Sequence, residues 1–111
     1  MTFSICTFNI AHGRGLAKSN WHGGSLRERR QRLNRIAELI GDCDIAVLQE
    51  VDFRAPWTLW LLNQHRHLQK AADFPYSTTF ANHLLCPRAG MVVLFFTRAK
   101  MRHFLDSRIV F

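Results

Sequence analysis

The 111-residue sequence predicts an α/β fold that begins with a β-α-β unit, on three observations. Apolar runs over residues 2–10 and 44–50 have strand character, and a helical pattern with a clear start signal lies between them. Both runs also end on residues able to carry chemistry, Asn9 and Glu50. An acid that closes a run reading as a buried strand is costly unless it is at the surface, paired, or bound to a cation. Strand ends are also where open α/β sheets place their ligands. In a parallel pair both residues would emerge at one sheet edge.

The first run alternates loosely and carries Ile5, Phe8 and Ile10. Residues 11–24 hold Gly13, Gly15, Gly23 and Gly24 with His12, Asn20 and His22, which predicts a loop whose glycines let backbone approach a ligand. It is not a Walker phosphate loop, because no Gly-Lys-Ser/Thr ending follows. Ser25 then opens a helix, since Glu28 three residues on completes a capping box. Leu26, Leu33, Ile36, Ala37 and Ile40 share one face, Arg27, Arg30 and Arg35 lie off it, and Gly41 fits the left-handed C′ position. The continuous apolar character of 44–50 suits a parallel strand covered on both sides.

Beyond Ala55 the pattern predicts a helix started by Pro56 and running through Trp57, Leu59, Trp60, Leu61 and Leu62 toward Ala72. Phe74-Pro75-Tyr76 breaks it, and 77–80 reads as a short strand. A loop over 82–89, a strong strand over 90–97, a turn over 98–100 and a last strand over 107–111 complete the expected order. The length bounds one small domain. The final apolar run, with no turn or polar tail after it, leads us to expect residues 1–111 to be a single incomplete domain, the N-terminal half of a larger one.

Composition narrows the function classes. A net charge of +7 and a sequence pI near 10.4 favour a polyanionic partner, such as nucleic acid, a phosphorylated substrate or an anionic membrane surface. Seven of the fifteen Lys and Arg residues fall between Arg14 and Arg35 against one acid, Glu28, although a solvated helix face accounts for such a cluster equally well. Cys6, Cys43 and Cys86 are odd in number and widely spaced, which argues against a disulfide scaffold and for a reducing compartment. No signal peptide or bilayer-length apolar run is visible, so a cytoplasmic location is expected.

An Asn carboxamide and a Glu carboxylate at one sheet edge offer hard oxygen ligands of the kind Mg²⁺ takes, the ion keeping water and substrate phosphate in its other positions. On spacing alone the plainer reading stands beside it: Asn9 caps a turn and Glu50 is a surface acid. The surrounding residues add to this. Thr7-Phe8-Asn9-Ile10-Ala11-His12-Gly13-Arg14-Gly15, a helix, and then Asp44-Ile45-Ala46-Val47-Leu48-Gln49-Glu50-Val51-Asp52 resemble the endonuclease/exonuclease/phosphatase superfamily of DNase I-like, metal-dependent phosphoesterases. The resemblance is clear over residues 3–54 and faint beyond, where Gly90-Met91-Val92-Val93-Leu94-Phe95-Phe96-Thr97-Arg98 falls on a Gly-led strand of the family.

The resemblance implies a four-layer α/β-sandwich, two packed mixed sheets with outer helices, of which this chain supplies the N-terminal portion. It implies a Mg²⁺ or Mn²⁺ cofactor, with Glu50 as direct ligand and Asn9 beside it. It also implies a phosphate-ester substrate, whether nucleic acid, phospholipid headgroup or sugar phosphate. The family's Asp-x-Asn segment and closing Asp-His pair, which supply acid/base chemistry, have no counterpart here, and no Ser-Asp-His occurs. The expectation is therefore a divalent-metal-dependent phosphoesterase with little or no activity alone. The alternative is a non-catalytic basic nucleic-acid-binding module, and a truncated product without independent function is a third possibility.

Other candidates are weaker. His12, Arg14 and Arg54 are placed to contact substrate phosphate, and Arg27 and Arg30 are further candidates. His65 and His67, two residues apart, lack a third ligand at zinc spacing. Trp57, Trp60 and Leu61 are expected to pack in the core, with a membrane or substrate rim as the less common outcome.

Overall fold

A computed structural model describes residues 4–80 and 91–96. It contains strand β1 (Ile5–Asn9), helix α1 (Leu26–Ile40), strand β2 (Ile45–Val51), helix α2 (Gln64–Ala71), strand β3 (Tyr76–Phe80) and strand β4 (Met91–Phe96). Short 3-10 turns lie at Ala11–Gly13, Asn20–His22 and Pro56–Thr58. The strands form one mixed sheet in the order β1-β2-β4-β3, with β1 and β2 parallel and β4 antiparallel to both of its neighbours. The expected β-α-β start is thus present. The expected loop at 82–89, turn at 98–100 and strand at 107–111 lie outside the described residues.

α1 begins where its capping signal lies. The Ser25 hydroxyl accepts from the Glu28 N–H, and the Glu28 carboxylate accepts from the Ser25 N–H. These two bonds satisfy donors that a helix start otherwise leaves open. At the other end Gly41 keeps a right-handed backbone, φ −63°, so the expected left-handed C′ glycine is not formed. α1 buries Arg29, Leu33, Ala37 and Ile40, a stripe at helical spacing. Leu33 and Ile40 meet Ala46, Leu48, Val93 and Phe95 of the sheet, with Leu68 of α2 and Phe74 closing the same core. Each such side chain removed from water contributes about 1.5–3 kcal/mol before entropy is counted. The opposite sheet face gathers Ile45, Leu94 and Phe96, packed with Val47, Tyr76, Phe80 and Val92.

The helix expected from Pro56 does not form as one piece. Pro56–Thr58 is a single 3-10 turn, after which Leu59 and Trp60 take left-handed backbone, φ 54° and 62°. Two successive left-handed residues cannot continue a right-handed helix. The chain restarts at Asn63, whose side chain accepts from the Arg66 N–H and caps α2. Periodicity across 57–62 therefore does not describe a helix face: Trp60 and Leu61 are exposed rather than in the core, and Trp57 is half-buried.

Candidate metal and phosphate site

The acid that closes β2 escapes the core through a bulge. Leu48 pairs with Val93 and Val51 with Met91, so Gln49 and Glu50 fall where β4 has one residue. Glu50 takes the left-handed backbone, φ 55°. Strict alternation would put Glu50 on the face that buries Ala46 and Leu48. The extra residue shifts the phase, so that Val51 joins that core and the Glu50 side chain stays 42 % exposed. A non-glycine residue in this conformation costs of order 1–3 kcal/mol and recurs where a side chain must be aimed.

β1 runs parallel to β2 with Asn9 opposite Gln49, and the Ile10 N–H donates to the Gln49 carbonyl at 3.1 Å. Asn9 therefore stands one register position from Glu50 at the shared carboxyl edge. Its amide oxygen accepts from the Ala11 N–H at 2.9 Å, turning the chain sharply into the glycine loop. Ala11 and His12 follow with positive φ, 48° and 56°, and this turn brings the His12 ring back over β2. Its Nδ1–H donates to Asp52 Oδ1 at 2.8 Å, while Nε2 faces the Glu50 carboxylate at 3.7 Å, beyond hydrogen-bond reach.

Asp52 is buried, with both carboxylate oxygens in use: Oδ2 accepts from the Trp57 indole N–H at 2.9 Å. Gln64, equally buried, joins the loops behind it. Its side-chain oxygen accepts from the Asp52 N–H at 2.8 Å, its amide nitrogen donates to the His12 carbonyl at 2.7 Å, and its own N–H donates to the Asp52 carbonyl at 3.0 Å. Gly13 is required here. Its φ is +70°, and a Cβ would lie 2.6 Å from the Gln64 amide nitrogen.

Two arginines of α1 hold the glycine loop from beneath. Arg29 donates to the carbonyls of Gly24 and Asn20, and Arg32 to those of Gly13 and Gly23. Burial lowers the Arg29 pKa, Arg32 lowers it further, and Asp52 acts in the opposite direction. Half-buried Arg14 is occupied within its own loop by the carbonyls of Ala17 and Ala11 and by the Asn20 amide oxygen. Arg54, Arg27 and Arg30 are exposed. An open groove of about 310 Å³ runs from Phe8 and Asn9 past Gly15 to Arg32 and Arg35.

His65 and His67 do not meet. His65 Nε2 pairs with the Ser77 hydroxyl and its ring stacks on Phe95, whereas His67 Nε2 pairs with the Asn34 side chain. Among the described residues no three His, Cys, Asp or Glu side chains gather as a metal cluster. Cys6 and Cys43 are free thiols; burial and a hydrogen bond with Cys43 push the Cys6 thiol up to about 12.

The structure thus brings Asn9, Glu50 and His12 to one edge and adds three residues given no role from sequence, Asp52, Gln64 and Arg29, together with Trp57, expected in the core, whose indole N–H holds Asp52. Arg29 had a legible signal, since it lies four residues before Leu33 on the buried stripe of α1. A turn-forming Asn on one strand of the parallel pair and a part-exposed Glu on the next thus stand at the same carboxyl edge. The family comparison agrees: the endonuclease/exonuclease/phosphatase family model matches residues 6–104, and the chain belongs to that family. No curated protein and no solved structure matches the chain.

Proposed function

We propose that this chain carries the metal-binding edge of a phosphoesterase, with Glu50 as ligand to Mg²⁺ or Mn²⁺, Asn9 beside it and His12 at the substrate phosphate. The observation that supports this most is the β2 bulge, which takes Glu50 out of the core and leaves its carboxylate 3.7 Å from His12, one register position from Asn9. The donor set fits a hard divalent ion that keeps water ligands: one part-exposed carboxylate, a carboxamide oxygen, and no closed cage among the described residues. His12 pairs through Nδ1 with Asp52 while its Nε2 faces the Glu50 carboxylate at 3.7 Å, so the ring is fixed beside the proposed ligand. When bound, the ion would polarise the phosphate ester and offset charge developing on its oxygens.

The chain's own residues prepare that edge. Asp52 and Trp57 hold the His12 ring in one orientation, Gln64 ties His12 to the strand end, and Arg29 and Arg32 keep the glycine loop closed over it. Because no Ser-Asp-His acid/base segment is present in the sequence, turnover by these residues alone is expected to be slow. Apolar side chains on both faces of the sheet, Leu48 and Phe95 on one and Leu94 and Phe96 on the other, support a sheet covered on both sides, as in a layered sandwich. For the nucleic-acid-module reading, Arg29 and Arg32 are engaged with loop carbonyls whereas Arg27, Arg30 and Arg54 are exposed.

Calorimetric titration with Mn²⁺ tests the assignment. One site is expected, with affinity lowered at least about tenfold in Glu50→Gln and less in Asn9→Ala. Equal Mn²⁺ binding by Glu50→Gln and the parent chain would remove Glu50 from the site.

A further inference from the structure

Two loops beside this edge carry an apolar surface that the phosphoester chemistry leaves unexplained. The second loop is anchored at both ends by buried residues, Ala55 and Thr58 before its tip and Leu62 after it. Between them Leu59, Trp60 and Leu61 are 73 %, 54 % and 63 % exposed. Leu59, Trp60 and Leu61 donate their N–H groups to the carbonyls of Pro56, Ala55 and Thr58, so the tip is a fixed turn. With both Leu59 and Trp60 in left-handed backbone, three consecutive large apolar side chains are held outward against the usual preference for burial. Trp21, 62 % exposed on the glycine loop, adds apolar surface beside this turn, its ring meeting that of Trp57 edge-on at 6.3 Å. Trp57 in turn meets His12 at 5.5 Å, which places the patch against the candidate site.

Charge identifies the occupant. Residues 14–24 and 53–66, the two loops with their flanks, contain no Asp or Glu, while Lys18 and Arg54 are exposed on them. A protruding Trp between two Leu, on loops that carry exposed cations and no acid of their own, matches the two halves of an anionic bilayer surface: hydrocarbon below and negative headgroups around. At the tip itself Leu59 and Leu61 flank Trp60 and have no π-face on which a base could stack, which favours hydrocarbon over nucleobases there. We propose that the Leu59–Leu61 tip and Trp21 dock this protein on anionic phospholipid surfaces. The docking does not depend on the phosphoesterase reading. Its consequence does rest on that reading: the phosphate ester presented to Glu50 and His12 would then be one carried by a lipid headgroup.

Vesicle sedimentation with the full chain is the test. Phosphatidylcholine vesicles containing phosphatidylserine should retain the protein at least about tenfold better than phosphatidylcholine alone, with the tryptophan emission shifting to the blue. Trp60→Ala combined with Leu61→Ala should reduce that partition by about tenfold or more, with an unchanged circular dichroism spectrum. Leu39→Ala removes an exposed leucine at the far end of α1 and should leave partition unchanged. Glu50→Gln should bind vesicles at least as well as the parent, which separates failure of docking from failure of the metal assignment. The proposal is overturned if anionic vesicles do not retain the chain, or retain the double variant equally. Trp60-dependent binding of a single-stranded oligonucleotide in place of vesicles would overturn it too.

Discussion

The molecule has two interiors, buried to the same degree and built on opposite principles. Under the sheet, Leu33, Leu48 and Phe95 are sealed by contact with one another, and any side chain of similar shape would serve. At the carboxyl edge, Asp52, Gln64 and Arg29 are sealed just as completely, but each is held by directed bonds to named partners. A packed apolar interior tolerates small shifts and records missing volume. A polar one tolerates almost no change of partner, because an unpaired buried group keeps its full desolvation cost. The candidate site adjoins the second interior, where the bonds that fix Asp52 also orient His12.

The comparison breaks most visibly at Leu33. Leu33→Ala is expected to lower unfolding free energy by about 2–5 kcal/mol in urea titration, through lost burial and the cavity left between α1 and the sheet. The residual folded protein should keep its Mn²⁺ affinity, since Leu33 belongs to the apolar core and not to the proposed ligand set. Asp52→Ala is expected to cost less, about 1–3 kcal/mol by the same titration, but to act on the site. It removes the acceptors of His12 and Trp57 together, so the His12 ring resonances and the Trp57 indole N–H should shift in NMR spectra. Asp52→Ala with undisturbed His12 and Trp57 signals would mean that the polar interior is only packing.

The apolar interior was largely legible in the sequence, and the polar one was not. Hydrophobic periodicity marks which residues of α1 and β2 face inward, and the Ser25–Glu28 box marks where α1 starts, because both signals are local. Asn9 and Glu50 could be paired because parallel strands of similar apolar character share an end. The bulge at Gln49–Glu50 could not be read, since it depends on pairing with β4 some forty residues later in the chain. Gln64 was hidden for the same reason: its three bonds reach Asp52 and His12, across loops that no periodicity connects. The tip at Leu59–Leu61 reads as helix because Pro56 is a start signal with an apolar run behind it, and only the left-handed backbone of Leu59 and Trp60 breaks that pattern.

The smallest expected effect lies between the two interiors, at His65, which stacks on Phe95 of the apolar core and pairs with Ser77. Burial lowers its pKa below the ordinary 6.5, and Arg66 acts in the same direction; burial and Arg30 do likewise for His67. With a folded pKa below the unfolded one, the unfolded chain binds more protons between the two values, so stability falls as pH falls. The histidine contribution is fully present above the unfolded value of 6.5 and is lost as pH drops toward the folded values. The melting temperature should therefore decline as pH falls below about 6.5, before ordinary carboxylates titrate near 4. His65→Gln, which keeps a polar partner for Ser77 but cannot take a proton, should flatten that decline, and His67→Gln should do so to a smaller extent, its ring being paired at an exposed surface. An identical decline in His65→Gln would place the acid-sensitive group elsewhere and leave the stacked imidazole as simple core.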